Sequence, residues 1–221
     1  MAGWRIATNP IYDIYSKEEW FSQTGGYLFG RYSAIEERML KTFRYVDCAP
    51  SNALTFSYEY ASILRDAGSV FGSVMDRTVE KITKTSKDLD IKDYRKWLMN
   101  LEFKGMKQSV KKIYSVAVDV KSRFKRNMLL PFTSLSDDKV RIDWWDVYNN
   151  VKHSDIDNFP SGNLINSLNA LASVAFLVYL FTNIQQQSEL FVRIGFYDDE
   201  ADLKDSLFIS TLSPVPSSPE S

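Results

Sequence analysis

The sequence predicts a mainly helical fold, and three observations carry that prediction. Glycine and proline are scarce, with 9 and 7 in 221 residues, which favours long regular elements over a turn-rich stack of strands. Apolar residues recur at helical spacing over about seven turns between Phe56 and Ile82. The segment from Leu164 to Leu180 is apolar on nearly every side, as a helix buried on most sides or packed at a subunit interface would be. The chain is long enough for one substantial core, and 14 Phe, 12 Tyr and 5 Trp provide bulk to fill it.

Taken in order, residues 1–30 read as irregular, with Asn9-Pro10 and Gly25-Gly26 as breakers. A short helix follows Gly30, with Ile35, Met39, Leu40 and Phe43 on one face and Ala49-Pro50 as its stop. Residues 1–49 are therefore expected to form an N-terminal extension packed on a helical domain of residues 50–187. Ser51 or Asn52 is the expected N-cap of the long helix. Glu59 and Arg65 flank its apolar stripe, and Glu59 is a candidate inward-facing carboxylate. Ile91 to Leu101 reads as a second helix, capped by Asp90 and burying Tyr94, Trp97, Leu98 and Leu101.

Val116, Val118 and Val120 alternate with Ala117 and Asp119, the period of a short strand. A helix is expected from Asp143 to His153, then a loop holding Pro160 and Gly162. The last long helix should start near Ser161 and run to about Gln187. Residues 190–196 and 206–210 would pair as a β-hairpin within 188–212, leaving the proline-rich stretch 213–221 as a disordered tail.

Composition narrows the function classes. Lys plus Arg (27) balance Asp plus Glu (28), so net charge names no partner. The basic run from Lys104 to Arg126 is either a solvated face or a local patch for nucleic acid. A single cysteine, Cys48, excludes an internal disulfide and a multi-cysteine zinc site. No glycine-rich phosphate loop, serine nucleophile elbow or metal-ligand cluster is present, so neither cofactor nor metal is expected. No signal-peptide core opens the chain, and the longest apolar run, Leu171 to Phe181, is short of a membrane span. A cytoplasmic protein with no membrane role is expected.

The chain has one histidine, His153, in Trp144-Trp145-Asp146-Val147-Tyr148-Asn149-Asn150-Val151-Lys152-His153. Histidine is the one side chain whose ordinary pKa lies near neutrality, so any imidazole acid–base chemistry falls to it. Helical spacing puts Trp145, Asn149 and His153 on one stripe, and Tyr148 and Lys152 on the next. The amide would fix the imidazole tautomer or share a phosphate oxygen. The alternative is a histidine that closes a helix C-terminus, where partial negative charge favours a cation.

This arrangement, Trp144-Trp145-x-x-Tyr148-Asn149-x-Val151-Lys152-His153 followed by a loop and the apolar helix opening Asn163-Leu164-Ile165-Asn166, resembles the HEPN superfamily. The long helix opening Phe56-Ser57-Tyr58-Glu59 is similar to the first helix of that fold, and the likeness spans residues 50–187. It implies an antiparallel helical bundle that homodimerises, with metal-independent ribonuclease activity in a defence, stress-response or toxin–antitoxin setting. It also implies His153 as the acid–base group and Asn149 as its orienter. Lys152, Arg141 and Tyr148 would then bind phosphate or RNA, with Glu59, Asp146 and Trp145 as auxiliaries.

The family's arginine, which precedes the histidine with four to six residues between, is missing. Tyr148 stands at the shortest spacing and Asp146 at the longest, and Lys152 lacks the bidentate guanidinium fork. Two main readings follow: an RNA- or nucleotide-acting protein with a degenerate site, or a non-catalytic module that dimerises or binds a protein partner from a neighbouring gene; a small-molecule binding bundle with no nucleic-acid role is a third.

Overall fold

The computed structural model describes residues 5–6, 19–84, 89–101, 113–121, 127–136, 141–153, 155–182 and 190–196. It is mainly helical, with a small antiparallel sheet. Strand β1 is Arg5–Ile6 and helix α1 is Glu19–Thr42. Helices α2 (Tyr58–Thr83) and α3 (Ile91–Met99) precede strands β2 (Val116–Val120) and β3 (Asn127–Leu129). Helix α4 (Asp143–His153), the short α5 (Asp155–Asn158), the long α6 (Leu164–Thr182) and strand β4 (Phe191–Phe196) complete the order.

Helix α1 begins well before the expected position and runs unbroken through Gly25, Gly26 and Gly30. A glycine inside a helix costs about 1 kcal/mol relative to alanine, which is why the pair reads as a breaker. Here Gly25 has a packing reason: a Cβ on it would lie 2.9 Å from Thr182 Cγ2, at the end of α6. Leu28, Tyr32, Ile35 and Met39 of α1 belong to the same core as the other helices.

Helix α2 starts later than expected because Pro50–Asn52 forms its own 3-10 turn and Phe56 bridges Asn163. Ser57 is the N-cap, its Oγ accepting from Tyr60 N at 3.1 Å, and Lys84 closes the helix in the left-handed region (φ 54°). At α3, Asp90 and Asp93 form a reciprocal capping box. Tyr94 and Leu98 are buried there, with Leu101 just beyond the end.

Helix α6 is the axis of the fold, packed by α1, α2 and α4. Its 19 residues are long and apolar enough to cross a membrane, yet 94% of the most apolar window is buried inside this one chain. That burial corrects the subunit-interface alternative, because no face of the helix is left over for a second copy. It starts at Leu164 and not near Ser161, because Phe159–Ser161 forms a 3-10 turn, and Asn163 caps it, accepting from Asn166 N at 3.1 Å. Residues 183–187 lie outside the described residues.

The sheet order is β1-β4-β2-β3, all pairs antiparallel. Strand β2 is buried along its whole length, so its alternating sequence does not mark one wet face. Strand β4 lies between β1 and β2; the 206–210 half of the expected hairpin and the tail 213–221 are outside the described residues. Buried Glu36 of α1 accepts from Tyr32 Oη and from Leu190 N, each at 2.8 Å, and so ties the start of β4 to the helices.

Candidate functional site

Helix α4 has the predicted bounds, and neighbouring elements fix both of its ends. Ser134, from the turn Thr133–Ser136, accepts from Asp143 N at 3.2 Å and so caps a start that has no polar N-cap side chain of its own at Ile142. At the other end Asn158 donates to the carbonyl of Asn150 at 3.3 Å. The capping function considered for His153 is thus carried by an amide from α5.

The aromatic residues of α4 are packing groups. Trp144 is buried, and its indole N–H donates to the Pro131 carbonyl at 3.0 Å. Trp145 and Tyr148 pack against each other with tilted rings, 4.9 Å between ring centres, and lie over two glycines of α2. A Cβ on Gly68 would fall 2.4 Å from the Tyr148 ring, and one on Gly72 would fall 2.9 Å from Trp145. These glycines, one turn apart, form the groove in which α4 sits. Phe71 between them meets Trp144 edge-on at 5.1 Å and Trp145 at 5.6 Å.

The polar candidates are divided between surfaces. Lys152 is exposed with its ammonium 5.6 Å from the centre of the Tyr148 ring, a cation–π contact. His153 is exposed and Asn149 half-buried; among the described residues the two share no hydrogen bond. Arg141 pairs with Asp146 at 3.0 Å on the surface, so the guanidinium considered as a phosphate ligand is already engaged. Glu59 does not face inward. It accepts from Arg38 Nε at 2.8 Å on an exposed face, and the same guanidinium holds Asp66 and the Ser62 hydroxyl. Burial pushes Arg38 toward deprotonation, but the Glu59 and Asp66 carboxylates outweigh it and hold the pKa above its ordinary value.

Two features have no forerunner in the sequence motifs. The first is an exposed apolar patch at the start of α2, where Leu54 is 68% exposed, Phe56 49% and Tyr58 80%. Phe159 joins it, 5.5 Å from Phe56 and 4.4 Å from Tyr58. The second is a cleft of about 600 Å3 between α1 and α2, lined by Gln23, Thr24, Tyr27, Ser73, Val74, Asp76 and Arg77. Periodicity places Val74 on the apolar stripe of α2 and Ser73, Asp76 and Arg77 beside it, but does not show that they line a cleft. At the cleft, Tyr94 of α3 donates its hydroxyl to Asp76, and burial followed by that bond raises the phenol pKa far above its ordinary value.

Among the described residues no group of three or more His, Cys, Asp or Glu is placed to hold a metal ion. Of the basic run, only Lys121 is described, and it is exposed. Comparison with protein-family models, characterised proteins and solved structures returns no significant match to this chain.

Proposed function

We propose that this chain is a HEPN-like helical module that acts by association and has no ribonuclease activity of its own. The observation that carries the reading is the exposed patch of Leu54, Phe56, Tyr58 and Phe159. Contiguous apolar side chains rimmed by polar ones mark interaction surfaces, and aromatic anchors dominate the energetics of such contacts. The occupant proposed is a second copy, because one self-complementary patch suffices for a closed two-fold dimer. Loss of cleavage fits the place of Tyr148, a packed ring where a guanidinium would have to face a scissile phosphate.

Size-exclusion chromatography with light scattering tests the association. Wild type should be dimeric at micromolar concentration and Tyr58→Asp with Leu54→Asp monomeric at unchanged helicity. A monomeric wild type would overturn the reading. Ribonuclease activity of the wild type in EDTA, abolished in His153→Ala, would overturn the other half.

A second reading has its own support: Lys152 and His153 are both exposed on the last turn of α4. The Lys152 ammonium, with the imidazole beside it, would bind an RNA or nucleotide phosphate without cleaving it. Lys152→Ala with His153→Ala should then weaken the binding of a short RNA and flatten its salt dependence. Equal binding by wild type and double variant would remove this reading.

A further inference from the structure

The cleft between α1 and α2 has a division of charge that the association reading does not use. Asp76 and Arg77 both line it, and neighbouring residues on a helix point apart rather than toward each other. Among the described residues the two form no ion pair. The cleft is therefore flanked by one negative and one positive group, while the facing wall of α1 provides uncharged Gln23, Thr24 and Tyr27. The Tyr94 hydroxyl donates to Asp76 Oδ1, which orients the carboxylate, and among the described residues no hydrogen bond to Oδ2 is found. Tyr27, 57% exposed, and buried Val74 both line it, so an aromatic and an aliphatic side chain are on offer. A volume near 600 Å3 is in the range of small-molecule sites.

We infer that this cleft binds a small zwitterion of amino-acid size that carries a ring. Its carboxylate lies at Arg77, its ammonium at Asp76, and its ring against Tyr27. Guanidinium matches carboxylate in shape and charge, and an anchored carboxylate suits an ammonium. An anionic ligand would meet Asp76, and a cationic one would meet Arg77, so one molecule with both charges fits best.

Calorimetric titration of the full chain with L-phenylalanine, phenethylamine and 3-phenylpropionate tests the assignment. L-phenylalanine should bind saturably, and removing either of its charges should weaken binding roughly tenfold or more. Arg77→Gln should weaken L-phenylalanine and 3-phenylpropionate but leave phenethylamine unchanged. Ser73→Trp, on the exposed side of α2, should fill the cleft and abolish binding at an unchanged melting temperature. The inference is overturned by no saturable binding at millimolar L-phenylalanine, by equal affinity for all three probes, or by binding that survives Ser73→Trp.

Discussion

The two ends of α4 start from similar material and meet opposite fates. Its first half places Trp144, Trp145 and Tyr148 against α2, with Phe71 between the rings and Gly68 and Gly72 making room. Its last turn leaves Lys152 and His153 exposed, Lys152 lying over the Tyr148 ring, and the Asn158 amide of α5 reaches back to the carbonyl of Asn150. Within one eleven-residue helix, then, the aromatic residues pack against α2 while Lys152 and His153 of the last turn are exposed. The motif on which the sequence likeness rests is thus two devices in series, and the arginine position falls in the packing half.

The largest effect should come from the packing half. Phe71→Ala removes the ring that meets Tyr94, Phe132, Trp144 and Trp145, and should cost about 3–5 kcal/mol, measured by denaturant unfolding. A loss below about 1 kcal/mol would mean that α4 is not seated as described. Next comes a matched pair of glycine substitutions. Gly68→Ala drives a methyl into the Tyr148 ring and should destabilise by about 1–3 kcal/mol despite alanine's better helix propensity. Gly30→Ala, with open space around it, should instead stabilise by about 1 kcal/mol. The same sign at both sites would break the account of the groove.

Tyr94 gives a pH test of the same half. Its folded pKa is raised, so the native state favours the protonated phenol. The stability that this contributes is complete below the ordinary tyrosine value of about 10 and is lost as pH rises beyond it. Alkaline unfolding should therefore begin later in Tyr94→Phe than in wild type, while the two behave alike near neutrality apart from the missing Asp76 bond. The smallest effect belongs to the last turn: His153→Ala should change stability by less than about 0.5 kcal/mol, the range of exposed sites without special contacts. A larger loss would move His153 into the structural half.

What was legible in the sequence follows the range of the forces involved. The bounds of α4 and the apolar face of α2 depend on local periodicity, and both are read directly from residue spacing. The start of α1 is not legible from spacing, because Gly25 answers to Thr182, far along the chain. Ser57 caps α2 in place of Ser51 or Asn52 because Phe56 is held by Asn163, again a distant partner. Glu59 reads as a lone carboxylate beside an apolar stripe until folding brings Arg38 to it. For the sites, the motif names residues but not their exposure, which separates Tyr148 from Lys152. The cleft has no motif at all, since its two walls come from helices that meet only in the folded chain.

The bond from Leu190 N to Glu36 has a consequence for synthesis. Strand β2 leaves the ribosome well before β4, its partner along one edge, and Glu36 waits even longer for the amide that satisfies it. Until β4 emerges, the nascent chain presents an apolar strand with open backbone groups, a template for pairing with other chains. A chain stopped after Thr182 should therefore collect in aggregates rather than as a smaller folded protein. Pairing with β4 is thus the step that closes this edge of β2.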